Sequence, residues 1–187
     1  MWLLGRPLPR MLELASAAVR DKRVLEVAAG TGLVTTAIAH TADEVIATDY
    51  AAAMVESLEK RVREDNLDNV SCQQADIYQL PFAPDEFDAV VAANVLHLVP
   101  DLGGAVANIR RILKPDGILV APTFCHDETM TASILSRLIG LSGFPGHRRF
   151  TAQSLIESLE RHGLDIRQTE VLPGLIPIAY LEGTFPG

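Results

Sequence analysis

Several things are scarce in this chain of 187 residues. Cysteine occurs twice, at Cys72 and Cys125, with no second Cys or His at ligand spacing. That argues against a disulfide framework or a metal cluster and fits reduced thiols in a cytoplasmic protein. Positive charge is in deficit: 16 Lys and Arg against 24 Asp and Glu give a formal charge of −8. Such a surface opposes a phosphate backbone or an anionic membrane, which argues against a nucleic-acid substrate. The clearest basic patch, His147-Arg148-Arg149, is short. Long apolar runs are also missing. The N-terminal stretch Trp2-Leu3-Leu4-Gly5 is interrupted by Arg6, Arg10 and Glu13, and fits neither a signal peptide nor a membrane span. Repeats and low-complexity segments are absent.

What is present is an ordinary globular composition, 48% hydrophobic and 21% charged. The length suits a single domain over residues 1–187 with a real core. The chain is organised around Val24-Leu25-Glu26-Val27-Ala28-Ala29-Gly30-Thr31-Gly32. Its first half is a short apolar run suited to a buried parallel strand. Its second half is small residues, where the backbone turns or approaches something closely. Leu33 to Ala42 then carries apolar residues at helical spacing. Strand, small-residue turn and helix form the first half of a nucleotide-binding βαβ unit. The dinucleotide fingerprint G-x-G-x-x-G fails in both registers, because Ala28 and Leu33 stand in one and Thr35 in the other.

Along the chain, residues 8–20 read as a first amphipathic helix. Glu44–Asp49 reads as a second strand, followed by a helix over Ala51–Glu64 and a third strand over Asn69–Asp76. Asp49 follows the glycines at a distance suited to receiving ribose hydroxyls, since each carboxylate oxygen accepts one hydroxyl hydrogen; alternatively it caps the next helix. After a proline-bearing loop, Ala89–Asn94 is a fourth buried strand with Val95–Pro100 as the loop beyond its carboxyl end. A helix spans Leu102–Leu113, Lys114-Pro115-Asp116-Gly117 is a tight turn, and Ile118–Pro122 is a fifth strand. The β-α alternation calls for a parallel sheet. Residues 123–150 break it with an insertion whose helix, Thr131–Leu141, is a candidate lid. Thr151 begins a helix to His162, and Leu164–Val171 and Leu175–Leu181 are the last two strands.

Four features together resemble the class I S-adenosylmethionine-dependent methyltransferases, in the small-molecule, quinone-biosynthesis-like type 11 branch. They are E-x-A-x-G-x-G at Glu26–Gly32, the acidic strand ends Asp49 and Asp76, Gln79-Leu80-Pro81-Phe82-Ala83-Pro84-Asp85-Glu86-Phe87-Asp88, and the L-K-P-D-G-x-L run from Leu113. The family has Gly where this chain has Ala28, a mild change if that residue keeps a negative φ. The resemblance implies a Rossmann-like α/β fold: a doubly wound, mainly parallel seven-stranded sheet, helices on both faces, and the antiparallel last strand inserted between the fifth and sixth. It implies S-adenosylmethionine as cofactor, with Glu26 serving its amino group, Ala28, Gly30 and Gly32 the loop, and Asp49 the ribose. It further implies that Tyr50 and Met54 lie beside the adenine, that Asp76 accepts from the 6-amino group, and that the Ile77 amide meets a ring nitrogen.

Asn94 and His97 then lie where the reacting methyl should be. His97 is the best candidate for a general base, or else merely closes the pocket; His126 and His147 are weaker alternatives, and His40 and His162 read as surface residues at helix ends. The expected activity is in-line methyl transfer to a small, apolar or aromatic acceptor without a metal. A cofactor-binding scaffold that does not catalyse is the alternative, which the short N-terminus and Ala28 favour. The family's larger members cover the site with extra N-terminal helices. Without them the pocket is either open, covered by the insertion, or completed by the second subunit of a homodimer.

Overall fold

The structure, a computed structural model, describes residues 7–125 and 150–186. Eight strands make one sheet in the order β3-β2-β1-β4-β5-β8, with β7 on the far side of β8. Strands β1 (Arg23–Val27), β2 (Glu44–Asp49), β3 (Val70–Gln74), β4 (Phe87–Val91) and β5 (Leu113–Val120) are mutually parallel. The last strand, β8 (Ile178–Thr184), runs antiparallel between β5 and β7 (Asp165–Leu172). The expected insertion of the last strand therefore holds. A two-residue strand, β6 (Thr123–Phe124), is added to the expected seven and pairs with Ile178 and Ala179.

The central strands are buried almost throughout, as a sheet covered on both faces requires, and successive side chains enter opposite cores. Leu25, Val27, Val90 and Leu119 join one core with α4 (Leu102–Ile112) and α5 (Ala152–Arg161). Val24, Ala89, Val91 and Val120 join the other, with α1 (Pro7–Ala18), α2 (Leu33–Ala39) and α3 (Ala52–Glu64). Glu26 shares the face of Val24 and so turns toward α2. The α5 start matches expectation: Thr151 accepts from the Ser154 amide and Ser154 reciprocates, a capping box. Among the described residues no helix is long and apolar enough to cross a membrane.

Most element ends shift by one to three residues from the sequence reading, and two differences have a clear physical cause. The last strand begins at Ile178 rather than Leu175, because Pro177 has no N–H to give a ladder. The turn Lys114–Gly117 lies inside β5 as a bulge: Leu113 pairs with Phe87, and pairing resumes only at Ile118 opposite Ala89. A Cβ on Gly117 would sit 2.8 Å from the Lys114 carbonyl oxygen, so the bulge demands glycine there. The proposed lid, including the helix over Thr131–Leu141, His126 and His147, lies outside the described residues.

Candidate active site at the carboxyl edge of the sheet

Parallel register brings the ends of β3, β2, β1 and β4 to one edge of the sheet: Val27 pairs with Thr48, Asp49 with Gln74, and Glu26 with Val91. Nearly every candidate residue follows one of these four ends. Beyond β1 the chain makes a compact turn in which Gly32 N–H donates to the Ala29 carbonyl at 3.0 Å and Ala29 N–H to the Thr48 carbonyl at 2.9 Å. Gly30 has φ +58° and Gly32 φ +82°. Their surroundings differ. A Cβ on Gly32 would meet Leu58 Cδ1 at 2.6 Å, whereas one on Gly30 would meet nothing within 4 Å. Gly32 is required by packing against α3; Gly30 keeps open space above the loop.

Ala28 corrects the sequence reading. Its φ is +53°, not negative. The left-handed conformation that the family serves with glycine is retained here by a residue with a Cβ, at a cost of about 1–2 kcal/mol. Ala28 is exposed, so its methyl group meets no packing obstacle.

The three acids sit in different environments. Glu26 is 1% exposed, and its Oε2 accepts from Thr35 Oγ1 on α2 at 2.5 Å. Burial pushes its carboxyl up to about 8; the Thr35 bond opposes this and the nearby Asp49 charge adds to it. Asp49 is half-buried and engages two amides. Its Oδ2 accepts from Gly30 N–H at 2.9 Å and its Oδ1 from Ala51 N–H at 2.9 Å. The helix-capping alternative fails in its simple form, because Ala51 occupies the N-cap of α3 and no side chain caps that helix. Asp49 instead ties the glycine loop to the turn after β2. Its carbonyl also accepts from Ala75 N–H at 3.0 Å, joining the β2 end to the approach of Asp76. Asp76 itself accepts from Tyr78 N–H through Oδ1 at 2.9 Å.

The remaining candidates are spread more widely. Tyr50 is 73% exposed and Met54 38%, both at the entry to α3. Tyr50 contributes its carbonyl to Gln74 Nε2 at 2.9 Å. Asn94 has φ +54° and is tied to the β5–β6 side, its N–H donating to the Pro122 carbonyl at 2.7 Å and its Oδ1 accepting from Phe124 N–H at 3.0 Å. With that oxygen engaged, Asn94 offers a ligand chiefly its amide N–H groups. His97 is 5% exposed, within the turn that follows β4. His40 and His162 are exposed C-caps of α2 and α5, as expected. Thr35, Asn108 and Arg111 escaped the sequence reading. Thr35 gave no signal beyond a hydroxyl in the first turn of α2. Asn108 and Arg111 are polar positions within the helix over Leu102–Leu113, and nothing in their spacing marks them.

The fold and this edge define a nucleotide-binding α/β protein, and the comparisons give its family. Residues 25–121, just over half of the chain, match a family model described as a methyltransferase domain. The chain belongs to this family, the type 11 branch of the class I S-adenosylmethionine-dependent methyltransferases, and S-adenosylmethionine is the cofactor. The chain is 32% identical over 143 residues to a demethylmenaquinone methyltransferase of Clavibacter sepedonicus, covering 76% of this chain and 54% of that protein. It is 38% identical over 117 residues to the demethylmenaquinone methyltransferase of Renibacterium salmoninarum, covering 63% and 47%. The chain thus spans about half the length of these curated relatives. Its fold matches the crystal structure of the YcgJ protein from Bacillus subtilis with a TM-score of 0.80 at 19% identity, covering 96% of this chain and 99% of that one.

Proposed function

We propose that this protein transfers a methyl group from S-adenosylmethionine to a small, apolar or aromatic acceptor at the carboxyl edge of β3-β2-β1-β4. The observation that carries this is the Asp49–Gly30 bond. It joins the second acidic strand end to a loop whose open space, above Gly30, admits a ligand against bare backbone. The residues fit an adenosyl ligand bearing a cationic amino acid. Glu26 has one oxygen held by Thr35, and its buried carboxyl, protonated at neutral pH with no cation beside it, would release that proton to receive an ammonium. Each Asp49 oxygen engages one amide and retains a lone pair for a ribose hydroxyl. Asp76 keeps Oδ2 for an exocyclic amine, Tyr50 and Met54 offer exposed apolar surface at the entry to α3, and Asn94 offers its side-chain N–H groups.

The sulfonium supplies both the methyl group and its own leaving group, so the protein's task is alignment and exclusion of water. His97, buried in the turn after β4, stands as the base for an acceptor that must lose a proton. A charge of −8 disfavours polyanionic acceptors, and the relatives named for demethylmenaquinone favour a quinol-like one. The test has two stages. Calorimetry should show binding of S-adenosylmethionine and S-adenosylhomocysteine but not NAD; the reverse pattern overturns the reading. Mass spectrometry should then find methylated product within a panel of demethylated quinols, phenols and amines. Binding without transfer to any of them would point to a scaffold instead of an enzyme.

A further inference from the structure

The acid that follows β3 is not oriented by its own turn alone. The peptide unit between Ile77 and Tyr78 is held from both sides. Its N–H donates to Asp76 Oδ1 at 2.9 Å, and its carbonyl accepts from Asn108 Nδ2, on α4, at 3.0 Å. Because a peptide is planar, its N–H and C=O move together, and fixing one fixes the other. The Asn108 amide has a single permitted orientation. Arg111 Nε donates to Asn108 Oδ1 at 3.0 Å, and a guanidinium accepts nothing, so the amide nitrogen must face Ile77.

Arg111 is fixed in turn by the loop it serves. Its Nη1 donates to the Phe82 carbonyl at 2.7 Å and its Nη2 to the Leu80 carbonyl at 2.9 Å. The Asp85 and Glu86 amides close the circuit on the carbonyls of Arg111 and Ile112, at 3.2 and 2.9 Å. Among the described residues Arg111 has no carboxylate partner, in a chain where acids outnumber bases. Among the described residues its side-chain hydrogen bonds go to the loop and to Asn108. Tyr78 Oη adds a third tether by accepting from Asp101 N–H at 3.0 Å at the start of α4.

We propose that Asn108 and Arg111 are positioning residues for the adenine subsite: they hold the 77–78 peptide so that Asp76 keeps Oδ1 on Tyr78 and leaves Oδ2 for the 6-amino group. This rests on the reading that Asp76 accepts from that amine. If the peptide turned over, Tyr78 N–H would leave Asp76 and the carboxylate would lose its fixed presentation. The pair therefore sets how strictly the purine's 6-amino group is required.

Asn108→Asp is the discriminating variant. It keeps an acceptor for Arg111 and replaces the donor to Ile77 with a carboxylate oxygen, which repels that carbonyl. Affinity is measured by calorimetry for S-adenosylhomocysteine and for its analogue lacking the 6-amino group. Wild type should prefer the former by about tenfold or more, the worth of one charge-assisted hydrogen bond. In Asn108→Asp, and independently in Arg111→Met, the preference should fall to about threefold or less. Each ratio is taken on one protein, so a loss of folded fraction cancels. A large preference that persists in both variants overturns the proposal and leaves the Asp76 reading intact. A wild-type preference near one shows that Asp76 does not read the amine, and the proposal falls with it.

Discussion

Thr35 Oγ1 donates to Glu26 Oε2 at 2.5 Å, the one donor among the described residues to a carboxyl that is 1% exposed. A hydroxyl cannot compensate for the desolvation of a full charge, which is why burial wins and the carboxyl is raised from 4.5 to about 8. In the unfolded chain this group ionises near 4.5, whereas the folded protein keeps its proton until about pH 8. The folded state thus holds more protons across that window, and stability falls as pH rises through it. Glu26→Gln, neutral at every pH, should flatten the fall between pH 5 and pH 8.5. Urea midpoints of both proteins against pH measure this, and parallel curves would contradict it.

Asp49 ties two amides in the structure and, in the proposed function, also receives the ribose. Asp49→Ala removes the proposed ribose acceptor and also releases the Gly30 and Ala51 amides. The expected loss in S-adenosylhomocysteine affinity is about tenfold to a hundredfold, or about 1.5–3 kcal/mol. Asp49→Asn keeps one oxygen and should recover part of it. Unchanged affinity in a folded Asp49→Ala protein would mean that the residue only ties the loop to the turn.

The site was legible where its chemistry is contiguous or ends a strand. The apolar run before Glu26, the small residues after it, and the acids closing β2 and following β3 all follow from local pattern. What tertiary contacts decide was not legible. The Asp49–Gly30 bond joins separate strands, and the Arg111–Asn108–Ile77 relay joins a helix face to a loop thirty-odd positions earlier. Both sets of side chains are polar and part-exposed, so periodicity reads them as solvent-facing. Ala28 misled for a different reason. Composition favours negative φ for alanine, and only the ladder around the loop forces the opposite.

Ala28 carries that strain without a packing reward, so Ala28→Gly should relieve it. Removing a left-handed alanine gains about 1–2 kcal/mol, and the greater freedom of glycine in the unfolded chain takes back about 0.4–1 kcal/mol. A net gain of about 0.5–1 kcal/mol should raise the melting temperature by about 1–4 °C. Ala28→Val, β-branched at the same φ, should lower it by more than Ala28→Gly raises it. A glycine variant that melts below wild type would show that the Ala28 methyl is held by something favourable.

Gly30 and Gly32 stand two residues apart, both with positive φ, but in different surroundings. A methyl group on Gly32 would press on Leu58, which is fully buried and has nowhere to move, and would come within 3.3 Å of Arg61 Cδ. Gly32→Ala should therefore lose about 2–5 kcal/mol of stability from overpacking added to left-handed strain. A methyl group on Gly30 would enter open space, so Gly30→Ala should lose only the strain of its φ, about 1–2 kcal/mol. Its effect on binding should be the reverse of its effect on folding, since that methyl would occupy the space from which a ligand approaches the loop. Thermal melts rank the two variants by stability, and calorimetry with S-adenosylhomocysteine, at a temperature where both are folded, ranks them by affinity. The orders should be opposite: Gly32→Ala the less stable, Gly30→Ala the weaker binder. If Gly30→Ala binds as well as wild type, the ligand does not lie against Gly30, and the loop serves only to connect β1 to α2.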